Sequence, residues 1–300
     1  MRPAPPILRF APSPNGLLHL GHAYSALLNA RMAARLGGTC RLRIEDIDPV
    51  RSKPELAVAI IEDLAWLGLR YPQPVRHQSH HMDEYRGALR RLVAEGLAYP
   101  CFCSRSAIRA AVQGAEGPVP VDPDGVPHYP GTCRALSRPE ADRRRHAGEA
   151  HTWRLDMDRA LSRTLADEPF GYVAFDEDSE RRIAVDPAVW GDAVIARRDV
   201  PTSYHLAVVH DDAVEGITHV VRGMDLEAAT ALHVLLQRLL DLPTPRYHHH
   251  ALIRDGDGRK LAKSQGSTSL AALREAGVGP EEIRRRLGFG DDGLVEGGGG

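Results

Sequence analysis

Two histidines at the start of a predicted helix could stabilise a phosphoryl transition state. The segment His19-Leu20-Gly21-His22 follows a loop rich in turn-forming residues and precedes a pattern of apolar positions typical of a helix. A helix N-terminus offers unpaired N–H groups and partial positive charge to a phosphate. Gly21 would let a nucleotide approach the backbone, and His19 and His22 could donate hydrogen bonds to phosphate oxygens. Taken alone, the pattern is as typical of a nucleotide-binding site as of two histidines that only cap a helix.

A second basic motif, Lys260-Leu261-Ala262-Lys263-Ser264, follows a glycine-rich turn towards the end of the chain. Lys260 and Lys263 could neutralise a triphosphate from a loop that closes over it. Taken alone, the motif is more typical of a basic turn exposed to solvent. The two motifs together, in this order, favour ATP as the ligand.

Three of the four cysteines, Cys101, Cys103 and Cys133, lie in one region rich in proline and glycine. In a reducing compartment such a group suggests a metal before a disulfide. Thiolates favour zinc, and four ligands close a structural zinc site. The sequence therefore predicts a structural zinc ion whose fourth ligand is not a cysteine. The alternative is three ordinary cysteines in a loop-rich region.

Strands and helices are predicted to alternate around these residues. A strand at Ile7–Phe10, a helix at Ala23–Leu36 and a strand at Thr39–Ile44 form one strand–helix–strand unit, which places Glu45 at a strand end. Such a unit begins a doubly wound, Rossmann-type parallel sheet of the α/β class, in which ligands bind at the carboxyl ends of the strands.

The rest of the chain gives further predicted elements. Helices are predicted behind a capping box at Ser52–Glu55, at Asp83–Glu95 and at Leu226–Leu240, with two short ones near the end. Strands are predicted at Val194–Ala196, Tyr204–Val209, Thr218–Arg222 and Ala251–Arg254. The tract His248–His250 is interpreted as local polar surface or ligand-facing backbone.

Composition narrows the class of protein. Apolar residues make up 43% and charged residues 26% of the 300 residues, as in an ordinary globular protein. The formal net charge of −2 argues against a chain that only coats nucleic acid. Two arginine runs, 143–145 and 284–286, are interpreted as solvated helix faces. The sequence shows no membrane span or signal region and no evident obligate protein partner, so a cytoplasmic location is expected.

The longer strings resemble class I aminoacyl-tRNA synthetases. The string Arg9–His22 and the lysine motif resemble the two signatures of that class, and Leu42–Asp48 is similar to its glutamyl branch. The resemblance continues at Tyr204–Val209 and Val221–Leu226, and it extends over residues 7 to 270. It implies activation of L-glutamate by ATP with Mg²⁺, with release of pyrophosphate.

The resemblance also implies ligands for glutamate and for the metal. The residues that fall at its glutamate-binding positions are Arg9, Ala11, Ser13, Glu45, Tyr204 and Arg222. Arginines suit the two carboxylates of glutamate, whereas Glu45 and Ser13 suit its ammonium group. A structural ion pair between Glu45 and Arg222 is the alternative. For the metal, the family pattern implies Tyr129 as the fourth ligand, and His128 or a water remains open.

Few residues follow Lys263, so no anticodon-binding domain is expected, and the resemblance is closest to glutamyl-queuosine tRNA(Asp) synthetases. It implies transfer of glutamate to queuosine in the anticodon loop of tRNA(Asp). The two halves of the catalytic domain are expected at 1–98 and 189–248, with the inserted zinc module between them at 99–188. The lysine loop and a short helical part are expected at 249–300. A small-molecule aminoacyl ligase and a non-catalytic RNA-binding paralogue are the alternatives.

Overall fold

The structure is a computed structural model that describes residues 4–164, 168–176, 178–253 and 268–290. Lys260 and Lys263, which were predicted to bind ATP, lie outside the described residues. The strands are β1 (Ile7–Phe10), β2 (Thr39–Ile44), β3 (Arg76–His77), β4 (Ala98–Cys101), β5 (Thr152–Leu155), β6 (Gly171–Phe175), β7 (Glu180–Ala184), β8 (Val194–Ala196), β9 (His219–Gly223) and β10 (Arg246–His250).

Helices connect most of these strands. They are α1 (Leu20–Arg35), α2 (Pro54–Trp66), α3 (Met82–Ala94), α4 (Arg105–Gln113), α5 (Arg138–His146), α6 (Met157–Arg163), α7 (Tyr204–Val214), α8 (Ala229–Leu239), α9 (Leu270–Glu275) and α10 (Pro280–Arg286). Short 3-10 turns lie at Gln78–His81, Pro187–Trp190 and Met224–Leu226.

The central strands are parallel. β1, β2 and β3 form one parallel sheet, whereas β9, β10 and β6 are parallel in a second sheet that the antiparallel β7 extends. The two sheets meet at β1 and the start of β9, where the Thr218 amide donates to the Ile7 carbonyl oxygen at 2.9 Å. The predicted parallel α/β architecture is therefore confirmed, and its strand ends can share one crevice.

Helix α1 packs on both sheets and fixes the loop that precedes it. Its apolar face, which includes Ala23 and Leu27, is fully buried against strand residues such as Leu8. The buried Asn29 amide donates to the Val221 carbonyl oxygen at 3.1 Å and so links α1 to β9. Burial of apolar area is the main stabilising term in such a core. The start of α1 is consequently held against the ends of β1 and β9.

A separate antiparallel sheet, β4–β5–β8, carries the cysteine region. Cys101 is the last residue of β4, and the loop-like segment that follows is interrupted by the exposed helix α4. The hairpin β6–β7, which was expected inside the inserted module, pairs through β6 with β10 of the central sheet. The expected domain boundaries themselves remain a prediction.

Three sequence-based assignments are wrong. Tyr204–Val209 is the start of helix α7 and not a strand, because Ser203 caps the helix by accepting from the Leu206 amide at 3.4 Å. Ser52 does not cap α2, which begins at Pro54 with Lys53 at the N-cap and no side-chain cap. The strand expected at Ala251–Arg254 is not formed at 251–253; β10 ends directly before it and includes the three histidines.

The last helices pack against the loop of the first motif. The Leu270 amide donates to the Leu18 carbonyl oxygen at 2.8 Å, and a β-bridge joins His19 to Ser269. Leu270 and Ile283 are fully buried in the core beside α1. The arginine run of α10 is compensated locally, since Arg285 pairs with Glu282 at 2.8 Å. Within the described ranges, every helix is too short or too polar to cross a bilayer.

Candidate active site and metal centre

A cavity of about 530 Å³ opens where β1, β2, β9 and β10 end. It brings together every residue predicted for ATP or glutamate that the described ranges contain. These residues are Arg9, Ala11, Ser13, His19, Gly21, His22, Glu45, Tyr204 and Arg222. Residues far apart in the sequence, such as Arg9 and Arg222, thus line one cavity, because parallel strands end at the same edge of a sheet.

The two histidines of the first motif cap helix α1 and also line the cavity. The Gly21 amide donates to Nδ1 of His19 at 3.1 Å, and the His19 amide donates to Nδ1 of His22 at 3.2 Å. Because Nδ1 accepts in both rings, each neutral imidazole carries its proton on Nε2. Capping and function are therefore compatible, and capping fixes the tautomer that can donate to phosphate.

Gly21 lies against the ring of His19. A Cβ atom at this position would stand 3.0 Å from Cε1 of His19, which is closer than ordinary contact. An alanine would push against the ring that caps the helix and would narrow the cavity. The glycine thereby keeps the helix N-terminus accessible to a ligand, as predicted from its lack of a side chain.

Arg9 and Glu45 belong to a buried charge network centred on Arg43. The guanidinium of Arg43 is fully buried and contacts Asp212 at 2.8 Å, Glu215 at 2.8 Å and Glu45 at 3.5 Å. Nε of Arg9 donates to the same Asp212 carboxylate at 3.0 Å. The charge of Arg9 is therefore shared with a protein carboxylate before any substrate arrives.

Glu45 is the titratable group of this wall. Burial raises the pKa of Glu45 to about 6, against the opposing effect of the Arg43 and Arg9 guanidinium groups. Burial also raises the pKa of Tyr204, so its hydroxyl stays protonated at neutral pH. At pH 7 the cavity consequently presents one carboxylate from Glu45 and one neutral hydroxyl from Tyr204.

Arg222 is held by neutral acceptors. Its three nitrogens lie 3.3 Å from Nε2 of His249, 3.2 Å from Nδ1 of His233 and 2.8 Å from the Thr230 hydroxyl, to which it donates. Burial, followed by the charge of Arg222, lowers the pKa of His249 to about 3 and that of His233 well below its usual range. Both imidazoles are therefore uncharged at pH 7 and can accept from the guanidinium.

Arg222 differs from Arg9 in its charge balance. Among the described residues, no carboxylate lies within 4.0 Å of the Arg222 guanidinium. Arg222 is also only 5% exposed. A buried cation without a counter-ion is costly unless a ligand supplies the opposite charge. An ion pair between Glu45 and Arg222, the simpler alternative, is therefore not formed. The geometry prepares this position for an anion.

Several residues of the site were not anticipated from the sequence. They are Arg43, Asp212, Asp225, Thr230, His233 and His249. The signal for Arg43 was its position in a strand of a predicted parallel sheet, because such a sheet is covered on both faces and a charged residue within it needs buried partners. Asp225 lies against Gly223, at which a Cβ would approach Oδ1 of the Asp225 carboxylate to 2.4 Å.

The three predicted cysteines converge at the end of β4. The sulfur atoms of Cys101, Cys103 and Cys133 all lie within 4.8 Å of one another, and Cys103 and Cys133 are 3.5 Å apart. A tetrahedral zinc site with Zn–S bonds of about 2.3 Å places its sulfurs about 3.8 Å apart. The donor set and spacing therefore fit a metal ion of this kind.

The Tyr129 hydroxyl lies beside the three cysteine sulfurs, where a fourth metal ligand would be needed. Its hydroxyl oxygen is 3.3 Å from Sγ of Cys103 and accepts from the Cys133 amide at 2.8 Å. His128, the competing ligand, instead places Nε2 2.9 Å from the Val189 carbonyl oxygen. The geometry therefore favours the tyrosine oxygen over His128.

An open parallel sheet, a crevice at its strand ends and a helix N-terminus facing that crevice are features of Rossmann-type nucleotide-binding enzymes. Residues 7–294 match the catalytic domain of class I tRNA synthetases (E and Q), and the chain belongs to that family. It is therefore a ligase, and the predicted resemblance is confirmed.

The chain is similar over almost its whole length to two proteins named glutamyl-Q tRNA(Asp) synthetase. The one from Rhodobacter capsulatus is 48% identical, over 94% of this chain and 100% of the relative. The one from Symbiobacterium thermophilum is 42% identical, over 94% of this chain and 85% of the relative. Glutamate–tRNA ligase of Geobacter sulfurreducens is 38% identical, but the chain covers only 55% of it.

A solved structure gives the same picture. The glutamate tRNA ligase from Elizabethkingia meningosepticum, in complex with its amino acid, superposes with a TM-score of 0.73 at 26% identity. The match covers 95% of this chain and 60% of that structure. The chain thus spans little more than half the length of that ligase.

Proposed function

We propose that the chain activates L-glutamate with ATP and transfers the glutamyl group to queuosine in the anticodon loop of tRNA(Asp), in the cytoplasm. The observation that carries the first step is the cavity. In it, Arg222 has no carboxylate partner among the described residues, and Glu45 supplies a carboxylate. Two arginines and one carboxylate match glutamate, which has two carboxylates and one ammonium group. The names of the two similar relatives support the acceptor.

Glutamate is held by charges of both signs. Arg222 binds one carboxylate of the substrate, because its guanidinium is buried and uncompensated. Arg9 is already paired with Asp212 and serves the other carboxylate more weakly. Glu45 and the Ser13 hydroxyl receive the ammonium group, and Tyr204 adds a neutral hydrogen bond. The backbone at Ala11 completes this wall.

ATP binds at the start of α1. Its phosphates accept from Nε2–H of His19 and His22 and from the helix N-terminus, while Gly21 admits the nucleotide. Asp225, which lines the same cavity, can accept from the ribose hydroxyls. A glutamate carboxylate oxygen attacks the α-phosphorus, the bond to the β-phosphate oxygen breaks, and pyrophosphate leaves; bound Mg²⁺ would neutralise charge on the phosphates. Lys260 and Lys263 are proposed to neutralise the leaving group.

Glutamate use should depend on pH through Glu45. Its carboxyl has a pKa of about 6, so it is ionised above pH 6 and becomes neutral as the pH falls below that value. Because only the carboxylate attracts the ammonium group, kcat/KM for glutamate should fall about tenfold per pH unit below pH 6. ATP–pyrophosphate exchange between pH 5 and pH 8 measures this. In Glu45→Gln the value should be low and independent of pH, and a flat wild-type profile would refute the role of Glu45.

We also propose that the cysteine group binds a structural Zn²⁺ through Cys101, Cys103, Cys133 and the Tyr129 oxygen. The close approach of the three sulfurs and the position of the tyrosine hydroxyl support this set. The region has few buried apolar residues of its own, and α4 has none. A metal would therefore supply stability that the small core does not.

Cys103→Ser should lose the bound zinc and destabilise the region around α4, because one thiolate ligand is removed. Elemental analysis of the purified protein should show about one zinc per chain in the wild type and a small fraction of that in the variant. Cys40→Ser is the matched control, since Cys40 stands in β2 outside the group, and its zinc content should not change. Equal zinc content in all three proteins would contradict the site.

The acceptor is tested by transfer of labelled glutamate, with ATP, to tRNA(Asp) with and without queuosine. Label on the modified tRNA alone is the expected result. Normal ATP–pyrophosphate exchange without label on either RNA would retain the activation step and refute the queuosine acceptor. That outcome would favour the small-molecule ligase, whereas absence of exchange would favour a non-catalytic RNA-binding paralogue.

A further inference from the structure

A second, larger cavity lies on the other side of helix α7. Its volume is about 670 Å³, within the range of sites for small molecules and cofactors. Its walls come from α4, the loop before Tyr129, the segment Trp190–Val194 and His205. Tyr204 lines the first cavity and His205 lines the second, so the first turn of α7 contributes to both.

The walls of this second cavity are mainly apolar. Its apolar members are Ile108, Val112, Val126, Pro127, Trp190, Ala193 and Val194. The indole of Trp190 is almost fully buried, and its Nε1–H donates to the Ala228 carbonyl oxygen at 3.2 Å, which fixes the ring. The cavity therefore offers a rigid apolar surface against which a flat aromatic ligand could pack.

Three arginines, Arg105, Arg109 and Arg154, and three aspartates, Asp122, Asp124 and Asp192, line the cavity. Asp122 accepts from the amides of Asp124 and Val126, and Asp192 accepts from the Tyr99 hydroxyl, so both carboxylates are engaged in the fold. Arg105 and Arg109, by contrast, are exposed on α4, and no described carboxylate lies within 4.0 Å of either. Two guanidinium groups at the rim of an apolar hollow suit a phosphate followed by a base.

We infer that this second cavity binds one unstacked nucleotide of the RNA substrate, close to the nucleotide that receives the glutamyl group. The base occupies the apolar hollow above Trp190, and Arg105 and Arg109 contact its phosphates. Proteins read RNA loops by drawing single bases into such pockets. The inference rests on the proposed transfer to RNA, and it adds a binding site outside the glutamate and ATP cavity.

A pair of valines in the same loop provides the test. Val126 lines the second cavity and is 56% exposed, whereas Val121 is 58% exposed and does not line it. Val126→Asp places a carboxylate in the hollow, and Val121→Asp makes the same change beside it. Neither residue is in the core, so both proteins should fold.

Binding of fluorescent queuosine-containing tRNA(Asp) is measured by anisotropy with the full chain. Val126→Asp should weaken the Kd about ten- to a hundredfold, the value of one stacked base, whereas Val121→Asp should change it less than about twofold. ATP–pyrophosphate exchange should stay unchanged in both, because glutamate and ATP bind elsewhere. Equal Kd values for the two variants would overturn the inference while leaving the proposed function untouched.

An abasic scan of the anticodon loop identifies the bound nucleotide. Removal of one base should weaken binding to the wild type by the same factor as Val126→Asp, and it should not weaken the variant further. Losses that simply multiply at every position would contradict the site. If the wild type binds this RNA but transfers no glutamate to it, the proposed function fails and the binding result still decides the inference.

Arg105 and Arg109 should make RNA binding more sensitive to salt concentration. The double variant Arg105→Ala/Arg109→Ala should lower the slope of log Kd against log salt by about 1.4, because two phosphate contacts to a single strand are lost. Arg90→Ala, an exposed arginine on α3 away from the cavity, should leave the slope unchanged. An unchanged slope in the double variant would exclude the phosphate contacts.

Discussion

Arg222→Ala is expected to lower kcat/KM for glutamate by about two to three orders of magnitude in ATP–pyrophosphate exchange. The residue is buried, and in the described structure its charge has no carboxylate partner, so we propose that a substrate carboxylate compensates it. Removing one member of a buried charge pair costs about 2–5 kcal/mol. The KM for ATP should change little, because the proposed ATP site is at the start of α1.

Two further variants separate charge from shape at this position. Arg222→Lys keeps the charge but cannot reach His249, His233 and Thr230 together, so an intermediate loss is expected. Arg246→Ala in β10 removes an exposed arginine that pairs with Glu180 and should keep kcat/KM within about twofold. A value for Arg222→Ala within threefold of the wild type would remove Arg222 from the glutamate site.

Arg43→Met is expected to lower the free energy of unfolding by about 3–5 kcal/mol. The substitution keeps the apolar stem but leaves the partly buried carboxylate of Glu215 without its cation and the buried Asp212 with Arg9 alone. An unpaired buried charge costs more than the lost ion pair contributes. Urea denaturation followed by circular dichroism measures the change.

Arg41→Met is the control for this stability effect. Arg41 lies two residues earlier in β2, is partly exposed, and has no described carboxylate within 4.0 Å. Its replacement should change the free energy of unfolding by no more than about 0.5 kcal/mol. The double variant Arg43→Met/Glu215→Gln should be less destabilised than the sum of the single changes. A loss below about 1 kcal/mol in Arg43→Met would mean that the network is not what stabilises this region.

The sequence predicts the cavity well because its residues occur at breaks in periodicity. The end of β1, the start of α1 and the end of β2 each combine a regular element with polar residues, so their ends are visible as the pattern changes. Glu45 and the pair His19 and His22 lie at such ends. The cysteine group is equally visible, since its spacing is unusual in a reducing compartment.

Residues inside elements were harder to predict. Tyr204–Val209 is rich in aromatic and β-branched side chains, so its composition favours a strand, whereas the Ser203 cap and burial on all sides make it a helix. His249 and His233 meet Arg222 from a strand and a helix that are far apart in the sequence. No local pattern reports which buried polar groups will face each other across a tertiary contact.

Helix α7 makes contacts at both of its ends that other parts of the protein depend on. Its first turn supplies Tyr204 to one cavity and His205 to the other, while Asp211 and Asp212 in its last turns hold the arginines of β2 and β3. A shift of this helix that reshaped one cavity would also disturb the second and strain the ion pairs. Changes of substrate preference should therefore arise more readily in the surrounding loops than in α7, which limits the routes by which such an enzyme can evolve.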